Sequence, residues 1–280
     1  MPVSVMVLVL CGALLHATWN TLVKSGADTE IATALVAVGS AAMAALALPF
    51  VAPPDPASWP FLATSVVAQT LYFLLVAAAY RAGDMSLAYP LMRGTAPLLV
   101  ALASGPLIGE RLAPATWAGV VLICAGVLGM VAGRARASGN ARAAIGFAFA
   151  NAAMIATYTL IDGHGVRISG SPAGYTLWIF MLTAVPMLAL VGLRRGRALA
   201  HALRAQPKIT VIGGFCNLGS YGVALWAMAH GPIAVVSALR ETSILFATAI
   251  SALVLHERVG PARYAATGLI LAGVVVMRLL

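Results

Sequence analysis

Two arginines sit inside long apolar runs, and each is followed at the same distance by a Glu-Arg pair. The first copy reads R-G-T-A-P-L-L-V-A-L-A-S-G-P-L-I-G-E-R-L from Arg93 to Leu112, and the second reads R-E-T-S-I-L-F-A-T-A-I-S-A-L-V-L-H-E-R-V from Arg240 to Val259. In both, the glutamate stands 17 positions after the arginine. A guanidinium binds carboxylate or phosphate through paired N–H donors, and an ionisable residue at membrane depth marks a ligand or ion pathway. Next to Arg240 come Glu241, Thr242 and Ser243. Glu241 reads as an ion-pair partner, an ammonium receptor or a proton carrier, and since neighbours on a helix point about 100° apart it need not pair with Arg240.

Other polar and aromatic residues fall at helical spacing in further apolar runs. His16, Asn20 and Lys24 recur every four residues with Trp19 beside them, and Asn151, Tyr158 and Asp162 form a comparable stripe later in the chain. Lys24 and Asp162 are expected at the membrane interface. Gln69, Tyr72, Phe73 and Tyr80 share one segment, and Asn217, Ser220, Tyr221 and Trp226 share another. Together such groups suit an amphipathic or aromatic solute, although packing or an interfacial belt explains each taken singly. Tyr89-Pro90 precedes Arg93, and Pro97 follows it. Proline removes helix hydrogen bonds, so this helix is expected to kink or unwind around Arg93.

The elements that must hold these residues are membrane helices. Of 280 residues, 61% are hydrophobic and only 9% charged, which excludes a soluble domain. Apolar runs of a length that spans about 30 Å of hydrocarbon recur along the chain. They occupy positions 3–23, 31–51, 61–80, 86–108, 115–132, 144–161, 174–193, 209–229, 233–255 and 262–277. The connection 194–208 is expected to hold a small amphipathic helix on the surface. Met1 to Leu10 carry no charged side chain, so the first run reads as a permanent helix rather than a cleaved signal. Cys11, Cys124 and Cys216 lie within spans and read as packing residues, and neither a metal-ligand spacing nor a cofactor motif is present. The net charge of +9 resides in short connections, which argues against nucleic acid.

The halves of the chain align. Gln69 matches Asn217 and Phe73 matches Tyr221, and after one indel Arg93 pairs with Arg240, Pro114 with Pro261 and Gly126 with Gly273. The fold class is therefore an all-α integral membrane protein, with ten transmembrane helices as two inverted five-helix repeats. Five is odd, so the second unit enters the membrane from the opposite side. The repeats are placed at 1–133 and 144–280, with a short basic linker at 134–143. At 1.5 Å per residue, Arg93 and Arg240 each lie about 5 Å from the midplane, on opposite sides. The fifth and tenth helices, rich in glycine, read as scaffold. Glu110-Arg111 and Glu257-Arg258 read as loop anchors.

The sequence resembles the EamA-domain branch of the drug/metabolite transporter superfamily along essentially its whole length. The resemblance rests on H-A-T-W-N-T-L-V-K from His16 to Lys24, Pro97, G-E-R-L from Gly109 to Leu112 with Gly119 and Gly126, and H-E-R-V from His256 to Val259. It implies a ten-helix, basket-like carrier of the bacterial inner membrane, its cavity lined mainly by helices one, three, four, six, eight and nine. It further implies export of amino acids, notably aromatic ones and threonine, or of other small metabolites. The expected function is secondary transport by alternating access, with a flippase for a lipid or lipid-linked sugar as the alternative, and no enzyme constellation is evident. The expected partners are a small-molecule substrate, the lipid bilayer and a coupling proton. Arg93 and Arg240 would take a carboxylate and Glu241 an ammonium or a proton. Tyr89, Tyr158, Tyr221 and Trp226 would take a side chain, with His16, Trp19, Asn20, Gln69, Tyr72 and Asn217 completing the site. Loop charges, twelve basic residues in odd-numbered connections against three in the even ones and the tail, place both termini outside the cytoplasm. The resemblance implies the reverse, with basic residues after the second helix where this chain has P-P-D-P-A-S.

Overall fold

A computed structural model describes residues 2–26, 28–83, 85–130, 141–253 and 260–279. Glu257, Arg258 and positions 134–140 of the linker lie outside the described residues. In the first half, α1 (Val3–Ser25), α2 (Thr29–Ala47), α3 (Trp59–Ala82), α4 (Met85–Ile108) and α5 (Pro114–Gly129) follow one another. The second half runs through α6 (Ala141–Ile168), α7 (Pro172–Ala205), α8 (Gly214–His230), α9 (Ile233–Arg240), α10 (Ser243–Leu253) and α11 (Pro261–Leu279). A π-helical turn, Ile209–Gly213, leads into α8. Eight segments are long and apolar enough to cross a membrane by themselves, with α9 and α10 sharing one of them. The apolar helices Pro114–Gly129 and Tyr264–Arg278 are shorter and take the fifth and tenth places.

Local chemistry sets most boundaries. Proline at a first turn starts α3, α5, α7 and α11, where its missing N–H has no partner to lose. Asp28 caps α2 by accepting from the N–H groups of Glu30 and Ile31, and Ser171 caps α7 through Gly174. The fourth span does not break. It runs as one helix through Pro90, Pro97 and Pro106, so the expected unwinding around Arg93 is not observed. Membrane helices in general tolerate proline, because neighbouring groups and local backbone adjustment can re-satisfy the freed carbonyls. The break falls instead in the ninth span, which contains no proline. Between Arg240 and Ser243 the backbone switches to bonds from each N–H to the carbonyl three residues back, as Glu241 to Ala238 at 3.0 Å and Thr242 to Leu239 at 3.1 Å. The Thr242 hydroxyl donates to the Leu239 carbonyl at 2.6 Å, which competes with the regular ladder.

The surface segment expected after the seventh span is a continuation of α7 beyond a kink at Arg195, whose backbone is non-helical. Leu199 and Ala202 tuck against Ile31, Leu35 and Val36 of α2, while Arg197 and Arg204 stay exposed. The same kink lets Arg195 pair with Asp28 and approach Glu30 at 3.6 Å.

Packing follows the inverted repeat. Helix α3 lies on α6 as α8 lies on α1, α4 packs on α6 as the ninth span packs on α1, and α2 with α7 and α5 with α11 pair across the axis. The α5 and α11 contact shows the relation residue by residue. A Cβ on Gly119 would stand 2.7 Å from the Gly273 carbonyl, and a Cβ on Gly126 would stand 2.9 Å from that of Ala266. Advancing Gly119 and Gly126 by the repeat offset gives Ala266 and Gly273, so these are one contact made twice. Backbones this close admit only the smallest residues. Substituting Gly126→Val should cost about 1–3 kcal/mol through overpacking, read as a lower thermal midpoint of the purified protein in detergent. An unchanged midpoint would contradict this crossing.

Candidate functional site

The two arginines of the repeat have different environments. Arg93 is buried and donates from Nε to Glu241 Oε2 at 3.0 Å, with Nη2 2.9 Å from Oε1. The second contact is an ion pair by distance only, since Nη2 makes no aligned hydrogen bond. Glu241 stands at the C-cap of α9, where the ninth span is interrupted, and its carboxylate reaches Arg93 on α4. Arg240, one position earlier, lies with its guanidinium carbon 5.0 Å from the centre of the Tyr221 ring. Among the described residues no carboxylate lies within ion-pair distance of it.

Both arginines border a central cavity of about 130 Å³. Nine of the thirteen expected residues line it: His16, Trp19, Gln69, Tyr72, Arg93, Tyr158, Asn217, Tyr221 and Arg240. Both repeat-matched pairs, Gln69 with Asn217 and Phe73 with Tyr221, are on its wall. Four expected residues are elsewhere. Glu241 is taken up by Arg93, and the Asn20 amide donates to the His16 carbonyl at 2.8 Å within α1. Tyr89 is outside the lining, and Trp226 is 37% exposed with its ring against His230. The wall also includes residues that type and spacing did not single out, among them Thr33, Val36 and Ala37 of α2 and Phe180, Thr183 and Met187 of α7. Uncharged, and apolar apart from threonines whose hydroxyls donate within their own helices, they look like lipid-facing residues in the sequence.

Edge-on aromatic contacts connect much of the wall. Tyr72 meets Tyr158 at 5.9 Å between ring centres, Tyr158 meets Tyr221 at 6.4 Å, and Tyr221 meets Phe180 at 6.1 Å. The polar inventory is tilted toward donors. Trp19 Nε1 and Arg93 Nη2 are buried without an aligned hydrogen-bond acceptor, and Arg240, with no carboxylate within ion-pair distance among the described residues, adds its guanidinium. Donors lacking acceptors around a cavity suit a ligand that brings oxygen and negative charge.

Comparison with known proteins places the chain in a family. The EamA-like transporter family model matches twice, over residues 3–132 and 142–279. The chain belongs to the EamA-like transporter family. A solved structure described only as "Crystal structure of protein" shares the fold at TM-score 0.78 and 20% identity, covering 99% of this chain and 98% of that one. A search of curated proteins returned no match. As an EamA-like protein the chain is a multi-pass membrane transporter of small molecules.

One carboxylate in this EamA-like bundle is not where the sequence suggested. Asp162, expected at the interface, is fully buried, because α6 continues to Ile168 instead of ending near 161. It accepts from the Tyr221 hydroxyl at 2.5 Å, the Tyr175 hydroxyl at 3.0 Å and the Gln69 amide at 3.2 Å. Asp162 joins Glu241 as an acid buried within the bundle. The signal was available: Asp162 is spaced from Tyr158 and Asn151 along one face of the same helix.

The Arg93–Glu241 pair is buried, and removing one member strands the other. Glu241→Leu should cost about 3–5 kcal/mol, whereas the double variant Arg93→Met with Glu241→Leu should return to within about 2 kcal/mol of the parent. Unfolding in mixed micelles measures both. A double variant no more stable than Glu241→Leu would show that the pair is not the source of the loss.

Proposed function

We propose that this protein is a secondary transporter of a zwitterionic small metabolite, an amino acid, which it carries by alternating access between its two repeats. The observation that carries the reading is Arg240, a cavity-wall guanidinium with no carboxylate partner among the described residues, while its repeat mate Arg93 is neutralised by Glu241. Trp19 Nε1 and Arg93 Nη2 supply further donors for a substrate carboxylate. For the other end of the substrate the matched amides are suited. Gln69 Nε2 is engaged by Ser65 and Asp162, and Asn217 Nδ2 by Ser40, which leaves the two amide oxygens for an ammonium group. This replaces the ammonium role first assigned to Glu241. The chain of tyrosines and Phe180 provides the surface for an apolar or aromatic side chain.

The basic connections are assigned to the cytoplasm by the positive-inside tendency. The lining residues of α1 and α2, His16 with Trp19 and Thr33 to Ala37, lie in the halves of those helices nearer that face. This fits a state loaded from the cytoplasm of a bacterial inner membrane.

Binding of a radiolabelled amino-acid panel to the purified protein, followed by counterflow in proteoliposomes, tests the assignment. Replacing Arg240→Gln should weaken the tightest-binding amino acid by about 10–100-fold, the worth of a hydrogen bond to a charged group. The methyl ester of that amino acid should bind equally poorly to the parent and to the variant. No binding or counterflow across the panel would sink the substrate class, and full activity in Arg240→Gln would remove its role.

A further inference from the structure

We propose that Asp162 is the proton-binding site of this carrier and that Tyr221 transmits its protonation state to the cavity. The inference rests on reading the cavity as a carboxylate site. Four acids in the described residues have arginine partners: Glu110 with Arg167, Glu241 with Arg93, and Asp28 and Glu30 with Arg195. Asp162 has none within ion-pair distance, is fully buried, and is held only by neutral donors. It can gain a proton without stranding a buried cation, which Glu241 cannot do.

Its surroundings are accounted for on every packed element. Gln69 and Ser65 face it from α3, Tyr175 from α7 and Tyr221 from α8. Tyr158, one turn back on α6, contacts Tyr221. From α4 and α9 the charged groups are the Arg93–Glu241 pair and Arg240, and both arginines border the adjoining cavity. Among the described residues no cation lies within ion-pair distance of Asp162.

The two carboxylate oxygens differ in what they reach. Oδ1 is bonded to Tyr175, which is fully buried, whereas Oδ2 accepts from Tyr221 and Gln69, which both line the cavity. Adding a proton to Oδ2 forms one O–H bond and turns the carboxylate into an acid. That O–H then donates to the Tyr221 oxygen, and the phenolic O–H, intact but no longer engaged by Asp162, turns to the cavity. The wall gains a donor beside Arg240 and loses a negative charge, and both changes favour a carboxylate ligand. Proton and substrate therefore bind cooperatively, each raising the affinity for the other by the same factor.

The experiment uses the full-length protein in nanodiscs, with the amino acid the panel shows to bind most tightly. Its affinity should fall about tenfold, within the usual span of such couplings, as pH rises through the range in which an infrared carboxylic-acid band assigned to Asp162 disappears. Asp162→Asn keeps the shape, carries no charge and offers an N–H to Tyr221. It should bind with the low-pH affinity at every pH and lack the band. His16→Gln should keep the pH dependence. Should Asp162→Asn fail to fold, Asp162→Glu should retain both the pH dependence and a shifted band. Persistence of the pH dependence in Asp162→Asn would overturn the proposal, as would a parent protein whose spectrum loses no acid band in that variant. If no amino acid binds, the infrared comparison still decides whether Asp162 takes up a proton, so failure of the substrate reading is distinguishable from failure of this one.

Discussion

Hydrocarbon does not solvate charge, so every ionised group inside this bundle must find its compensation within the protein. That constraint accounts for the main irregularity of the fold. Arg93 projects from a continuous α4, and the carboxylate that neutralises it comes from the other repeat, through a ninth span that is interrupted to present it. A regular helix through 240–243 would set Arg240 and Glu241 about 100° apart in fixed directions. The interruption separates their tasks: Glu241 faces Arg93, and Arg240 faces the cavity.

Packing obeys the pseudo-two-fold axis, while chemistry does not. The crossings of α5 with α11, α3 with α6 and α8 with α1 repeat across the axis, as inverted repeats require. Apolar packing constrains only size and shape, so duplicated backbones can keep it unchanged. The charged positions have diverged, because a symmetric site with two unpaired guanidiniums would repel itself and hold a ligand with two like ends. Glu241 is matched in the first repeat by Gly94, and this single difference at aligned positions converts two equivalent arginines into one that is structural and one that faces the cavity.

The fold was legible in the sequence because span length, apolar run and repeat offset each report on the bilayer and on duplication rather than on particular contacts. The site was legible where polarity coincides with depth, as at His16, Gln69, Asn217 and the two arginines. It was not legible where the deciding fact is a partner. Proline content pointed to a break at Arg93, but neighbouring helices decide whether freed carbonyls matter, and the break arose at a Glu-Thr step instead. Asp162 looked interfacial because it follows the last apolar residues, yet three donors from three other helices keep it inside. Lining residues of α2 and α7 carry no mark at all, since an alanine or threonine facing a cavity is chemically the same as one facing lipid.

The spacing of the repeated motif also acquires a physical meaning. Glu110 was read as a loop anchor, but its carboxylate accepts from the Ile233 N–H at 2.8 Å and the Ala234 N–H at 3.4 Å, which caps the first turn of α9. Arg167 joins it at 2.6 Å and also donates to the Met228 and Gly231 carbonyls, so the end of α6 and the turn before α9 are drawn to the same point. The other end of α9 is held through Glu241 by Arg93. Arg93 and Glu110, the two charges whose fixed separation first marked the repeat, therefore grip opposite ends of one eight-residue helix of the other half. Each end is secured by the charge that suits it, an anion at the exposed N–H groups and a cation beside the acid that follows the last turn. This short helix is thus fixed at both ends to the opposite repeat, and only bonds to the carbonyl three residues back join it to α10. In the first repeat the separation of Arg93 and Glu110 is thus a distance between two attachment points, and the guanidinium of Arg240 is carried to the cavity on the element they hold.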